Sequence, residues 1–304
     1  MPSLKKVAVF GASGNFGTPI TAALTKAKLD VTVITRIEST ATFPSGLPVI
    51  RTAYTVEALT TALAGQDAVV CVVGPAGIGL QVSMIDAAEA AGVRRFILDD
   101  YGWGPDFRSY PEFEPVRAQR VAGTDHAKTK AEANPSFTWT GIITGNPIDW
   151  ALARFPRMGF NIAQRSALIY DSGTEHFTGT TLQGIGQAVV GVLQHPDETE
   201  NRSVRVMSIK TCQNDLLEAF QGATTGQWEI ERWTTKELIK GAQEKHEKGD
   251  RGWVLDLAVA QLYEEGEARC LVAPSWEASD SELLGVTKES PEDLAAAVLA
   301  AFSK

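Results

Sequence analysis

Over roughly the first 145 residues, short runs rich in β-branched side chains alternate with longer stretches whose apolar residues recur at helical spacing. Val7–Phe10 predicts a first strand, and Asn15–Ala27 a helix entered through glycines. Val31–Thr35 predicts a second strand, followed by a Ser-, Thr-, Pro- and Gly-rich loop over 38–48. Val56–Leu63 suits a short helix ended by Gly65. Ala68–Val73 is apolar at odd and even positions alike, the pattern of a strand buried on both faces, and it stops at Gly74-Pro75. Gln81–Ala91 reads as a helix closed by Gly92, and Phe96–Leu98 as a strand running into Asp99-Asp100-Tyr101. A loop over 106–117 holds Pro111 and Pro115. Arg120–Ala133 then predicts a helix that stops before Pro135, and Phe137–Ile143 another strand.

This alternation calls for parallel strands joined by crossover helices. The expected class is α/β, a Rossmann-type doubly wound parallel sheet with a smaller C-terminal substrate lobe. Beyond Gly145 the pattern is less regular, with helical spacing over 185–193, 214–220, 236–248, 254–264 and 291–302. The expected division is a nucleotide-binding domain over 1–150, with 151–304 supplying mainly the substrate lobe and some elements returning to the first sheet.

At 304 residues with 44% hydrophobic side chains, the chain can build a large core without disulfides or metals as staples. Cys71, Cys212 and Cys270 are far apart, and His126, His176, His195 and His246 show no metal-ligand spacing, so no metal site is expected. No apolar run approaches the ~18 residues of a membrane span. No small-residue cleavage site follows the N-terminal apolar stretch, and a cytoplasmic protein is expected. A net charge of −9 disfavours nucleic acid as a partner. A small molecule is the expected partner, and the chain is expected to be a monomer or homodimer. No nucleophile elbow points to a hydrolase.

The sharpest motif is Gly11-Ala12-Ser13-Gly14-Asn15-Phe16-Gly17, a GxxGxxG pattern between the first strand and the first helix. Glycines there permit a tight turn and close approach of backbone to a pyrophosphate, and the helix N-terminus offers N–H groups and a positive dipole end. Gly11, Ser13, Gly14, Asn15, Phe16 and Gly17 are therefore candidate cofactor contacts; the competing account is a tight turn with no ligand. An acidic residue about 20 positions beyond such a loop normally takes the ribose hydroxyls of NAD. Here Arg36 stands 36 − 17 = 19 residues past Gly17. A guanidinium suits a 2′-phosphate, so NADP(H) is the expected cofactor, unless Arg36 simply faces solvent. Ligands of open α/β sheets sit outside the C-terminal strand ends, which adds Gly74, Pro75 and Asp99 to the expected cofactor site.

Gly11–Gly17, Thr35-Arg36, 65–69 (Gly-Gln-Asp-Ala-Val) and 87–97 (Ala-Ala-Glu-Ala-Ala-Gly-Val-Arg-Arg-Phe-Ile) resemble the NmrA-like and isoflavone-reductase-like family, an atypical branch of the short-chain dehydrogenases. Segments 137–145, 149–150 and 169–173, with Phe177 and 180–182, are similar to its fungal members. The resemblance covers most of 5–215 and implies an NADP(H)-binding fold with a cleft between the nucleotide domain and a C-terminal lobe. It also implies reductase chemistry on phenolic, lignan-like or polyketide-like molecules, in fungi often within secondary metabolism.

Two positions depart from the family's pattern. Asp99 stands where a serine is expected, and Arg120 falls near the place of the family's proton-donating lysine. Arginine stays protonated and is a poor general acid, though it can stabilise an oxyanion. Asp100, Tyr101 and Arg120 are the candidate catalytic residues, with His126 and Lys128 as further candidates. Trp103 and Trp150 are candidate pocket walls, and Trp139 suits the core. Hydride transfer to a C=C, C=N or C=O is the leading expectation. An NADP(H)-assisted cyclase or isomerase without net redox change and a non-catalytic NADP(H)-sensing regulator are the alternatives.

Overall fold

A computed structural model describes residues 3–104 and 106–302. Its first half runs β1 (Lys6–Phe10), α1 (Gly17–Lys26), β2 (Asp30–Arg36), β3 (Val49–Thr52), α2 (Val56–Leu63), β4 (Ala68–Cys71), α3 (Gln81–Ala90), β5 (Arg95–Ile97), α4 (Glu114–Ala133) and β6 (Thr138–Ile143). The second half continues through α5 (Ile148–Arg154), β7 (Phe160–Asn161), β8 (Ser166–Tyr170), β9 (Phe177–Gly179), α6 (Leu182–Gln194), α7 (Pro196–Thr199) and β10 (Arg202–Arg205). It ends with β11 (Ile209–Thr211), α8 (Gln213–Ala223), β12 (Glu229–Trp233), α9 (Thr235–Glu247), α10 (Trp253–Tyr263) and α11 (Pro291–Phe302).

Seven strands form one sheet in the order β10-β6-β5-β4-β1-β2-β3, every neighbouring pair parallel. This is the doubly wound Rossmann order, extended by β10. Alternate residues feed opposite faces. Val7, Val9, Val31, Val33, Val70 and Ile97 pack under α1 and α6, while Ala8, Phe10, Ile34, Val69 and Phe96 pack against α2 and α3. The continuous apolar runs of β1 and β4 follow from this double coverage. A separate core of Phe160, Ile169, Tyr170, Phe177, Phe220, Leu262 and Tyr263 lies among elements that follow β6.

Two elements differ from the sequence pattern. Helix α4 begins at Glu114 rather than Arg120, with Pro115 in its first turn. Proline fits there because the N–H it lacks would have no intrahelical acceptor, so this proline starts a helix instead of marking a loop. Strand β3 was not evident, being four residues long at the sheet edge with polar Arg51 in it. The Arg51 guanidinium donates to the carbonyls of Ser39 and Ala41, tying that edge to the preceding loop.

The chain after residue 150 returns to the sheet twice. Helix α6 packs on α1, where a Cβ at Gly186 would come within 2.8 Å of the Ala23 Cβ. Strand β10 pairs with β6. Arg95, fully buried, anchors this return: its guanidinium donates to the Thr138, Thr140 and Thr199 hydroxyls and to the Pro196 carbonyl. Among the described residues no helix is long and apolar enough to cross a membrane.

Candidate active site

Sheet register sets the site. Phe10 pairs with Ile34 on one side and Cys71 on the other, and Val70 pairs with Ile97. The turns beginning at Gly11, Gly74 and Leu98 therefore leave the same edge of the sheet. Gly11 has a left-handed backbone (φ 77°), and a Cβ there would stand 2.1 Å from the Val72 carbonyl oxygen. A Cβ at Gly17 would stand 2.0 Å from the Gly11 carbonyl oxygen. Both glycines are demanded by the turn itself. Gly14 is exposed, and its nearest obstacle would be the Gly11 carbonyl oxygen at 3.3 Å. Its lack of a side chain keeps the outer face of the loop open. Helix α1 starts at Gly17 with no side-chain cap, leaving Ser13, Gly14 and Asn15 on an exposed turn before an uncapped N-terminus. A cradle that a Cβ would fill, before a helix with no cap, fits a dinucleotide pyrophosphate. Arg36 ends β2 largely exposed, its nearest charge Glu38 at 3.5 Å.

Asp99 is 3% exposed and its carboxylate accepts the Gly74 N–H at 2.6 Å, while its own N–H donates to Gln81 Oε1 at 2.6 Å. It stitches the turn after β4 to the turn after β5, and Pro75 is carried exposed on the first of these. Burial raises the Asp99 carboxyl above the ordinary carboxylate range, against the pull of Arg120 and of the Gly74 and Val73 amides.

Beside these turns lies a cavity of about 330 Å³ that brings Asp100, Tyr101 and Arg120 together. Its walls come from the turn after β5, from α4, from the segment after β6 and from α10, with Trp103, Phe113, Trp150, Phe155 and Leu262 among them. Burial pushes Asp100 up to about 7; Arg120 opposes this and Asp99 adds to it. The Tyr101 phenol is driven far above its usual range, by burial first and then by Asp99, Cys71 and Asp100, and so holds its proton. Tyr101 Oη, Trp150 Nε1 and Asn146 Oδ1 are buried and have no hydrogen-bond partner among the described residues. Each such orphan costs about 1–3 kcal/mol unless something supplies a partner. Phe16 joins the two regions, its ring 6.4 Å from Tyr101 and 6.1 Å from Trp150.

The other candidates fall elsewhere. His126 meets Asp86 at 2.8 Å and Lys128 meets Asp125 at 3.2 Å, both outside the cavity. Trp139 lies in the core beside Phe96 and Phe137. Three signals were missed in the sequence: the buried Gln81, the cavity position of Asn146, and the return of α10 as a wall. Each depends on long-range packing that local spacing does not encode. The fold also places ligand atoms of His176, Cys212 and Asp215 within 4.8 Å of one another, across the β9–β11 pair, where sequence spacing gave no hint of it. Cys212 and Asp215 there form the capping box of α8.

A model of the NAD(P)H-binding family matches residues 11–196, the stretch from the glycine loop through α6. The chain belongs to this family. It is 67% identical over 288 residues to oxidoreductase poxI of Penicillium oxalicum, covering 95% of this chain and 92% of that one. It is 32% identical over 251 residues to oxidoreductase aprR of Aspergillus flavus, with 80% and 82% covered. Isoflavone reductase superposes with a TM-score of 0.75 at 19% identity, over 96% of this chain and 98% of that one. The binary complex of leucoanthocyanidin reductase with NADPH, from Vitis vinifera, reaches a TM-score of 0.78 at 16% identity, over 96% and 99%. The family member described here thus has the fold of the isoflavone-reductase-like enzymes.

Proposed function

We propose that this chain is an NADPH-dependent oxidoreductase that reduces a C=C, C=N or C=O of a small secondary metabolite. The observation that carries the reading is the pairing of an open glycine cradle with a neighbouring cavity whose buried Tyr101, Asn146 and Trp150 lack partners. Phe16, in the glycine loop, lies against two residues of the cavity lining, Tyr101 and Trp150. The oxidoreductase names of its fungal relatives and the NADPH bound by its structural neighbour support the same reading.

The Gly11–Gly17 turn and the start of α1 would hold the pyrophosphate, and Arg36 the 2′-phosphate. When bound, the cofactor supplies a hydride; the protein supplies orientation and charge. Asp100, with an acidity near neutrality, is the group suited to deliver a proton. Tyr101 keeps its proton and acts as a hydrogen-bond donor to the reacting group. Arg120 is a fixed cation, so it stabilises charge without transferring a proton. In this proposal residues beyond 150 close the substrate side, through Phe155, Met158, Leu255 and Leu262.

Product mass tests the reaction class. Incubating the protein with NADPH and a panel of phenolic and polyketide-like metabolites should yield products heavier by two hydrogens, with matching loss of NADPH absorbance. Products of unchanged mass would instead establish a redox-neutral cyclase or isomerase.

A further inference from the structure

Arg120 is half-buried in the wall of the cavity, yet among the described residues its guanidinium makes no hydrogen bond and no ion pair within 4 Å. Arg117, on the same helix and the same wall, pairs with Glu114 at 3.3 Å. The two carboxylates nearest Arg120 do not complete it. Asp99 is engaged by the Gly74 N–H, and Asp100, although it lines the same cavity, makes no hydrogen bond or ion pair with the guanidinium among the described residues. The guanidinium itself lies against Gly102, where a Cβ would come within 3.1 Å of Nη1. An arginine in a largely apolar enclosure calls for a counter-charge, and its planar pair of N–H donors matches a carboxylate in two-point contact. The donors beside it point the same way: Tyr101 Oη and Trp150 Nε1 are buried, unpartnered and able to donate.

We propose that the substrate is a carboxylic acid with a largely apolar body, held by its carboxylate on the Arg120 guanidinium. The inference rests on the reading of this cavity as the substrate site. The apolar body packs among Phe113, Val121, Phe155 and Leu255, in a volume that admits a molecule of modest size. A lysine is a point charge, whereas the planar fork of an arginine makes this position a carboxylate clamp.

The test is calorimetric binding of cinnamate and 3-phenylpropanoate, each against its methyl ester, with and without saturating NADP+. Wild type is expected to prefer each acid by about tenfold or more, the scale of a hydrogen-bonded charge pair. In Arg120→Gln the preference should vanish while NADPH affinity and melting temperature stay at wild-type values, and Arg120→Lys should retain part of it. Equal affinity for acid and ester, no acid binding, or a preference that survives in Arg120→Gln would each overturn the proposal. Loss of NADPH binding by the wild type would count against the reductase reading alone, because the acid–ester comparison is also made without cofactor.

Discussion

Gly11 and Gly14 look equivalent in the motif but do different work in the folded chain. Gly11 sits at positive φ with the Val72 carbonyl where a Cβ would be, so Gly11→Ala must displace backbone. It should lower stability by about 2 kcal/mol or more. Gly14 faces solvent, and a Cβ there would meet only the Gly11 carbonyl oxygen, at 3.3 Å, a tight contact that a shift of a few tenths of an ångström relieves. Gly14→Ala should melt within a few degrees of wild type yet bind NADPH about tenfold more weakly, as seen by fluorescence titration alongside thermal melts. Asp100 gives a second test at this scale. Its folded carboxyl titrates near 7 against about 3.9 unfolded, so between those values the folded state holds a proton the unfolded state has lost. Stability from this group therefore falls as pH rises from about 4 through about 7. Arg120 and Asp99 are the charges facing it. Asp100→Asn should gain stability relative to wild type on moving from pH 5 to pH 8 in urea melts; parallel profiles would show that Asp100 is not buried as described.

Helices α1 and α6 meet closely only because Gly186 lacks a side chain. Gly186→Leu should push them apart, costing about 1–3 kcal/mol for an overpacked contact. Because α1 follows the proposed phosphate cradle, NADPH affinity should fall with it; the check is whether denaturation midpoint and affinity decline together. The elements that could be read from the sequence are those governed by local pattern. The apolar runs of β1, β2 and β4, the glycine-bounded helices and the GxxGxxG turn each carry their signal within a dozen residues. What escaped reading depends on distant partners. Strand β3 exists because Val33 and Ile34 offer an edge, and Pro115 starts a helix that the proline content alone seemed to forbid. The place of Asp99 after β5 is legible in the sequence, whereas the bond its carboxylate accepts from the Gly74 N–H is set by sheet register. The convergence of Tyr101, Asn146 and Trp150 could not be seen locally, since the turns after β5 and β6 come together only in the folded cavity.

At the scale of the whole molecule, the large packed regions divide the labour. Two cores clamp the sheet from either face and fix the strand ends, while a third shapes the elements after β6. The cavity lies where α4 and α10 approach the turns after β5 and β6, so the proposed cofactor cradle and substrate walls come from different parts of the chain. Arg95 fixes the returning chain, holding Pro196 and Thr199 against β6 from inside the sheet. The central claim is that this architecture binds NADPH through the glycine cradle and Arg36. The most direct measurement is a paired titration of wild type and Arg36→Ala with NADPH and NADH, followed by tryptophan quenching. The account predicts tighter binding of NADPH by the wild type, and a loss in Arg36→Ala of about tenfold for NADPH with little change for NADH. Equal affinity for the two cofactors, equal losses in the variant, or no binding of either would contradict it.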